Sequence, residues 1–212
     1  MELMVAGQHL LFLPERALIW KEASALLLAD LHIGKAGHFR KHGIGLPGGA
    51  VEKDIGRLRQ LIENHKPAEV ILLGDLYHSS SNKEWAVFSQ FLDTQTNVSF
   101  MLVPGNHDRH FLKSARPPSL RITETMWLRP PFALCHEPSA IAPNDHIKIC
   151  GHLHPGVTLS GKARMRETLP CFWLKPTSIV LPAFGTLTGL SKISPAAGDQ
   201  VIAIAGNSCL RF

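Results

Sequence analysis

The sequence predicts an α/β domain built on two mixed sheets that face one another and are flanked by helices. Three observations lead there. The first half alternates short apolar runs with amphipathic stretches in the order strand, helix, strand, helix, strand. The second half drops the helical period and supplies a series of further short apolar runs, enough for a second sheet. The residues with the most chemical potential follow directly after these runs, at strand C-terminal ends, where open α/β sheets assemble their sites.

Each element has its own signal. His9 to Trp20 reads as two short strands joined at Pro14-Glu15-Arg16. Ala25 to Ala29 is a continuous apolar run, the pattern of a strand buried on both faces, and it ends in Asp30. Lys35 to Gly49 is rich in glycine and basic residues and reads as a loop with at most one helical turn. Val51, Ile55, Leu58 and Ile62 recur at helical spacing, so Val51 to His65 is an amphipathic helix. Glu69 to Leu73 is a second buried strand. Glu84 to Leu92 is a second helix with Trp85, Phe88 and Phe91 near one face, as core rather than as a stacking platform. Val98 to Val103 is a third strand. Later strands are expected at Phe132 to Cys135, His146 to Cys150, Gly156 to Leu159, Cys171 to Leu174, Ser178 to Leu181 and Val201 to Ile204.

The 212 residues suit a single domain, 1–212, with a sizeable core. Apolar residues at 45% and charged residues at 18% exclude a disordered chain. The net charge of +5 tilts toward an anionic partner. Four cysteines without a CxxC pair favour a reducing, cytoplasmic compartment over a disulfide framework. The N-terminus has Glu2 and no basic region ahead of its apolar run, unlike a signal peptide. The longest uncharged stretch, Pro176 to Ser191, is broken by proline and glycine, so no membrane span is expected.

Four clusters stand at strand ends: Asp30-Leu31-His32, Gly74-Asp75, Gly105-Asn106-His107-Asp108, and His136 with Gly151-His152-Leu153-His154. In extended chain, residues two apart point to the same side, so Asp30 with His32, and His152 with His154, can each face one point. Carboxylate, imidazole and amide oxygen are donors suited to manganese, iron or zinc. Taken singly, each histidine reads as an ordinary partly buried or surface side chain, and His9, His65 and His146 keep that reading. Lys162, Arg164 and Arg166 read as an exposed turn.

In this order the blocks DxH, GD, GNHD, H and GHxH resemble the signature of the calcineurin-like metallophosphoesterases, and all five lie between Asp30 and His154. The resemblance implies a four-layer α/β/β/α sandwich with a binuclear site at the sheet edges. It implies Asp30, His32 and His154 as ligands of one metal, Asn106, His136 and His152 as ligands of the other, and Asp75 as the bridge. It also implies His107 as a phosphate contact or general acid, with Asp108 orienting it. Two divalent cations, manganese first, would activate a bridging hydroxide. The longer blocks DLHIGKAGHFRKHGI, GDLYHS, PGNHDRH and LPAFGTLTG are similar to the PdeM group of bacterial ligase-associated DNA damage response endonucleases. That group is also described as phosphodiesterases associated with Lhr-type helicases. This implies a phosphodiesterase acting on DNA in repair, alongside a DNA ligase and an Lhr-type helicase. Lys35, His78 and Arg109, each within three residues of a ligand block, and Arg40, further along the basic loop that Lys35 begins, are the expected substrate contacts. The rival readings are a phosphomonoesterase, a nucleotide pyrophosphohydrolase or a protein phosphatase with the same site, and a scaffold without catalysis.

Overall fold

The computed structural model describes residues 1–35, 37, 49–78, 83–108, 117–160 and 166–212. Strands β1 (Glu2–Val5), β2 (Gln8–Leu13) and β3 (Ala17–Trp20) form an antiparallel meander. It leads into β4 (Ala25–Ala29), which starts a parallel run with β5 (Glu69–Leu73), β6 (Ser99–Val103) and β7 (Leu120–Ile122). The seven strands lie side by side in chain order. Helix α1 (Ala50–His65) connects β4 to β5, and α2 (Lys83–Thr94) connects β5 to β6. Parallel neighbours need such crossovers, because a tight turn can only reverse the chain. A left-handed Lys66 closes α1, its N–H donating to Ile62 O.

The second sheet takes the rest of the chain. It holds β8 (Met126–Arg129), β9 (Phe132–Cys135), β10 (Ile147–Cys150), β11 (Pro155–Ser160), β12 (Arg166–Lys175), β13 (Ser178–Val180), β14 (Ser191–Lys192), β15 (Gln200–Ala205) and β16 (Ser208–Arg211). Its order is β14-β11-β12-β13-β10-β9-β8, with β15 and β16 attached through β12. β12 is longer than its apolar core, Cys171 to Leu174, suggests. Its first half pairs with β11 and its second half with both β13 and β15.

The period-two alternation of the central strands divides the core in two. Leu26, Leu28, Val70, Leu72, Phe100 and Leu102 point to α1 and α2. Leu27, Ala29, Ile71, Leu73 and Val103 point the other way, against Phe132, Leu134, Ile149, Phe172 and Ile202 of the second sheet. Two edge-to-face aromatic pairs cross this inter-sheet layer, Phe12 with Phe172 at 5.0 Å and Trp20 with Phe132 at 4.9 Å between ring centroids. The two mixed sheets are the α/β sandwich expected. Both described helices pack on the first sheet, so a helical layer outside the second sheet is not among the described residues. No described helix is long and apolar enough to cross a membrane. The expected loop 35–49 lies outside the described residues except at 35, 37 and 49, as do Lys162 and Arg164 of the expected turn, while Arg166 opens β12.

Phe172 has no exposed surface and joins the two sheets. Phe172→Ala is expected to cost about 3–5 kcal/mol of unfolding free energy. Ile141→Ala, at a side chain 95% exposed, should change it by less than about 0.5 kcal/mol. Urea titration of both variants checks the contrast, and equal effects would contradict the assigned core.

Candidate metal centre

The register of the parallel strands brings three polar turns to one level. Ala29 pairs with Leu73 and Leu73 with Val103, so Asp30, Gly74-Asp75 and Pro104-Gly105 leave the first sheet side by side. In the second sheet β9 and β10 are also parallel, and they end just before His136 and Gly151. The two sheets face each other, so these ends meet across one rim.

The extended geometry expected for the ligand pairs is not what the chain uses. Asp30 (φ 57°), His32 (φ 50°), Asp75 (φ 46°), His152 (φ 70°) and His154 (φ 47°) are all left-handed. That region is uncommon for side chains other than glycine, and its concentration here marks a strained site rather than continuing strands. Backbone bonds from neighbouring turns hold the shape. Asp30 N–H donates to Gly74 O, His32 N–H to Asp75 O and Ile33 N–H to Leu76 O. Gly74 is itself left-handed, and a Cβ there would collide with the His136 ring. A Cβ at Gly151 would lie 2.6 Å from Asp30 Oδ2, so this glycine lets the two sheets close on the carboxylate.

Two triads result. Asp30, His32 and His154 form one, and Asp75, His136 and His152 the other, each with its donor atoms within 4.8 Å of one another. In the first, His154 Nε2 lies 3.4 Å from both Asp30 Oδ1 and His32 Nε2. In the second, His136 Nε2 lies 3.4 Å from Asp75 Oδ1 and 3.1 Å from His152 Nδ1. His136 Nδ1 is 3.1 Å from Leu73 O, the contact that turns Nε2 toward the site and fixes the tautomer. Asp30 is wholly buried. Its Oδ2 accepts the His152 N–H at 2.9 Å, and its Oδ1 makes no hydrogen bond. A buried carboxylate oxygen in that state, beside imidazole nitrogens that can also be ligands, fits a cation.

The remaining predicted residues fall into place unevenly. His107 is exposed, and its Nε2 lies 4.0 Å from Asp75 Oδ2 while its N–H donates to Asp75 Oδ1. Asp108 is buried and bonds the backbone: Oδ2 accepts from Gly105 N–H at 2.8 Å and Oδ1 from Tyr77 N–H at 3.0 Å. It therefore ties the third turn to the second, where an orienting contact to the His107 ring was expected. Asn106 is exposed and donates its amide to Glu137, a residue no motif singles out beyond its place next to His136. The His78 ring lies 5.4 Å from those of His32 and His107. Lys35 is half-buried and feels both Asp30 and Asp75. Arg40 and Arg109 lie outside the described residues.

The LPAFGTLTG block has a structural part. Ala183 bridges Ala29, and the N–H groups of Phe184 and Gly185 donate to Ala29 O and Asp30 O. Behind it, buried Asp54 of α1 accepts from Thr186 N–H and hydroxyl and from Arg57. Arg57 also donates to Phe184 O and stacks on its ring at 4.0 Å. The helix thus holds the segment that holds the Asp30 turn. Sequence reasoning misses Asp54, since it looks like any polar residue of an amphipathic helix.

One histidine of each triad is shifted, and the two move in opposite directions. Burial and the nearby Lys35 ammonium press His32 down to about 3, so it is neutral near pH 7. Burial would lower His136 too, but Asp75 and Asp30 outweigh it and hold it up to about 9. Asp75 is correspondingly lowered: burial pushes it up, and the His136 contact and the His107 N–H overcome that.

The profile of the calcineurin-like phosphoesterase family matches residues 24–155. No curated protein matches the sequence. The crystal structure of Pseudomonas putida nuclease MPE superposes with a TM-score of 0.81 at 29% identity, covering 100% of this chain and 99% of that one. Yfce, a phosphoesterase from E. coli, gives a TM-score of 0.47 at 15% identity, over 89% and 97% of the two chains.

Cation binding at the second triad requires a neutral His136, and below about 9 the free side chain is protonated. Proton and cation therefore compete, so Mn²⁺ affinity should rise with pH and level off above about 9. Binding near neutral pH should release protons. Calorimetric titration in two buffers of different ionisation enthalpy measures both, and an affinity that ignores pH across this range would contradict the assignment.

Proposed function

Because the chain belongs to the calcineurin-like phosphoesterase family, we propose that it is a binuclear phosphodiesterase that cuts DNA. The observation that carries the reading is the pair of ligand triads on one rim, with the exposed His107 beside them. Asp30, His32 and His154 would hold one divalent cation, and Asn106, His136 and His152 the other, with Asp75 shared. The donors suit manganese, and equally iron or zinc. Bound there, the cations would supply positive charge to the phosphate and lower the pKa of water from about 16 toward roughly 7.

The chain's own residues would do the rest. His107 reaches into solvent from a loop fixed by Asp75 and Asp108, so it can meet the substrate and give a proton to the leaving oxygen. Lys35, half-buried and within electrostatic reach of the two carboxylates, would meet a non-bridging phosphate oxygen. His78 lines the same side. The likeness to the P. putida nuclease over the whole chain supports nucleic acid as substrate, and the net charge of +5 agrees. Work in DNA repair, beside a ligase and an Lhr-type helicase, belongs to the same reading.

Two experiments test it. His107→Ala should lower kcat on the order of 10²-fold or more while both metals stay bound. The defect should shrink on a diester with an activated leaving group, which needs less protonation. Metal loss in this variant would show that His107 is a ligand instead. For the substrate, replacing Lys35 and Arg40 together by alanine should hurt DNA cleavage far more than hydrolysis of a small reporter diester. It should also flatten the salt dependence, since fewer counterions are released. Equal loss on both substrates would place these residues at the scissile phosphate, and no loss on either would remove the basic loop from the DNA reading.

A further inference from the structure

Glu137 stands where no motif calls for an acid. Its carboxylate Oε1 accepts the Asn106 side-chain N–H and lies 3.6 Å from His152 Nδ1, the nitrogen that faces the second triad. Its backbone is fixed: Ala140 N–H and the Cys135 thiol both donate to its carbonyl. The side chain is about one-third exposed at 32%, so a purely electrostatic pair here would be heavily screened.

An asparagine amide has two ends of similar shape, and only its oxygen can bind a metal. The NH₂ end has to be turned away, and a carboxylate that accepts from it does this by chemistry rather than by packing. We propose that Glu137 is a positioning residue for the second metal: it takes the Asn106 amide hydrogen and so commits the amide oxygen to the cation. The inference rests on the metal-centre reading above. Asn106 needs such a partner because it is exposed and comes from the other sheet's rim. Asn106 is assigned to the second cation alone, so the influence of Glu137 falls on one cation and not on the other.

Mn²⁺ titration of the full chain, followed by metal analysis, tests this without using activity. The wild-type protein should bind two ions. Glu137→Ala should weaken one of the two by about 10–100-fold and leave the other as it was, which also shows that the variant is folded. Glu137→Gln keeps an acceptor oxygen and should recover most of the loss. Because the effect passes through Asn106, adding Glu137→Ala to Asn106→Ala should cause no further loss. Wild-type affinity at both sites in Glu137→Ala would overturn the proposal. Independent, multiplying losses in the double variant would also overturn it, because Glu137 would then be a ligand in its own right. Failure of the wild-type protein to bind two ions would instead sink the metal-centre reading, and this inference with it.

Discussion

Asp30 is a carboxylate with no exposed surface. Removing such a charge from water costs several kcal/mol unless hydrogen bonds and opposite charge replace the solvent. Much of the architecture near the rim can be understood as meeting that demand. The second sheet delivers the His152 N–H to one oxygen, His154 and His136 approach the other, and Gly151 leaves the space for both. The inter-sheet core does not merely bury apolar area. It fixes the separation at which groups from two sheets reach one carboxylate.

The same place concentrates backbone strain. Five of the residues proposed as ligands hold left-handed conformations, each at a cost of about 1–3 kcal/mol. That cost is sustained by what surrounds it: parallel strands in fixed register, the Asp108 tie between two turns, and the Asp54–Thr186–Arg57 brace behind a third. A chain selected for stability alone would relax these turns. Their persistence is the usual signature of geometry held for function.

The central strands and both helices are legible in the sequence because their burial is so lopsided. β4 and β5 are apolar almost throughout, and α1 shows one clean stripe. β1, β8 and β16 escape because their burial is mixed or slight and their apolar stretches are three residues at most, and β14 is only two residues long. The motif blocks locate both triads, yet the reason given from spacing, extended chain with residues two apart on one side, fails. Periodicity reports which side chains are buried and cannot report a left-handed φ. Glu137 and Asp54 are invisible for a different reason. Each acts on a partner distant in sequence, Asn106 in one case and Thr186 in the other, and no local pattern encodes such a pairing.

Neither triad is drawn from one half of the chain. Asp30 and His32 wait for His154, and Asp75 waits for His136 and His152. The turn at Asp30 further depends on Gly185. A chain leaving the ribosome N-terminus first therefore builds the first sheet with only open fragments of each triad at its rim. Residue 185 must emerge before the pocket can close. Any cation held by these triads would consequently be captured late in maturation, a seal set on a nearly finished protein rather than a seed for its folding.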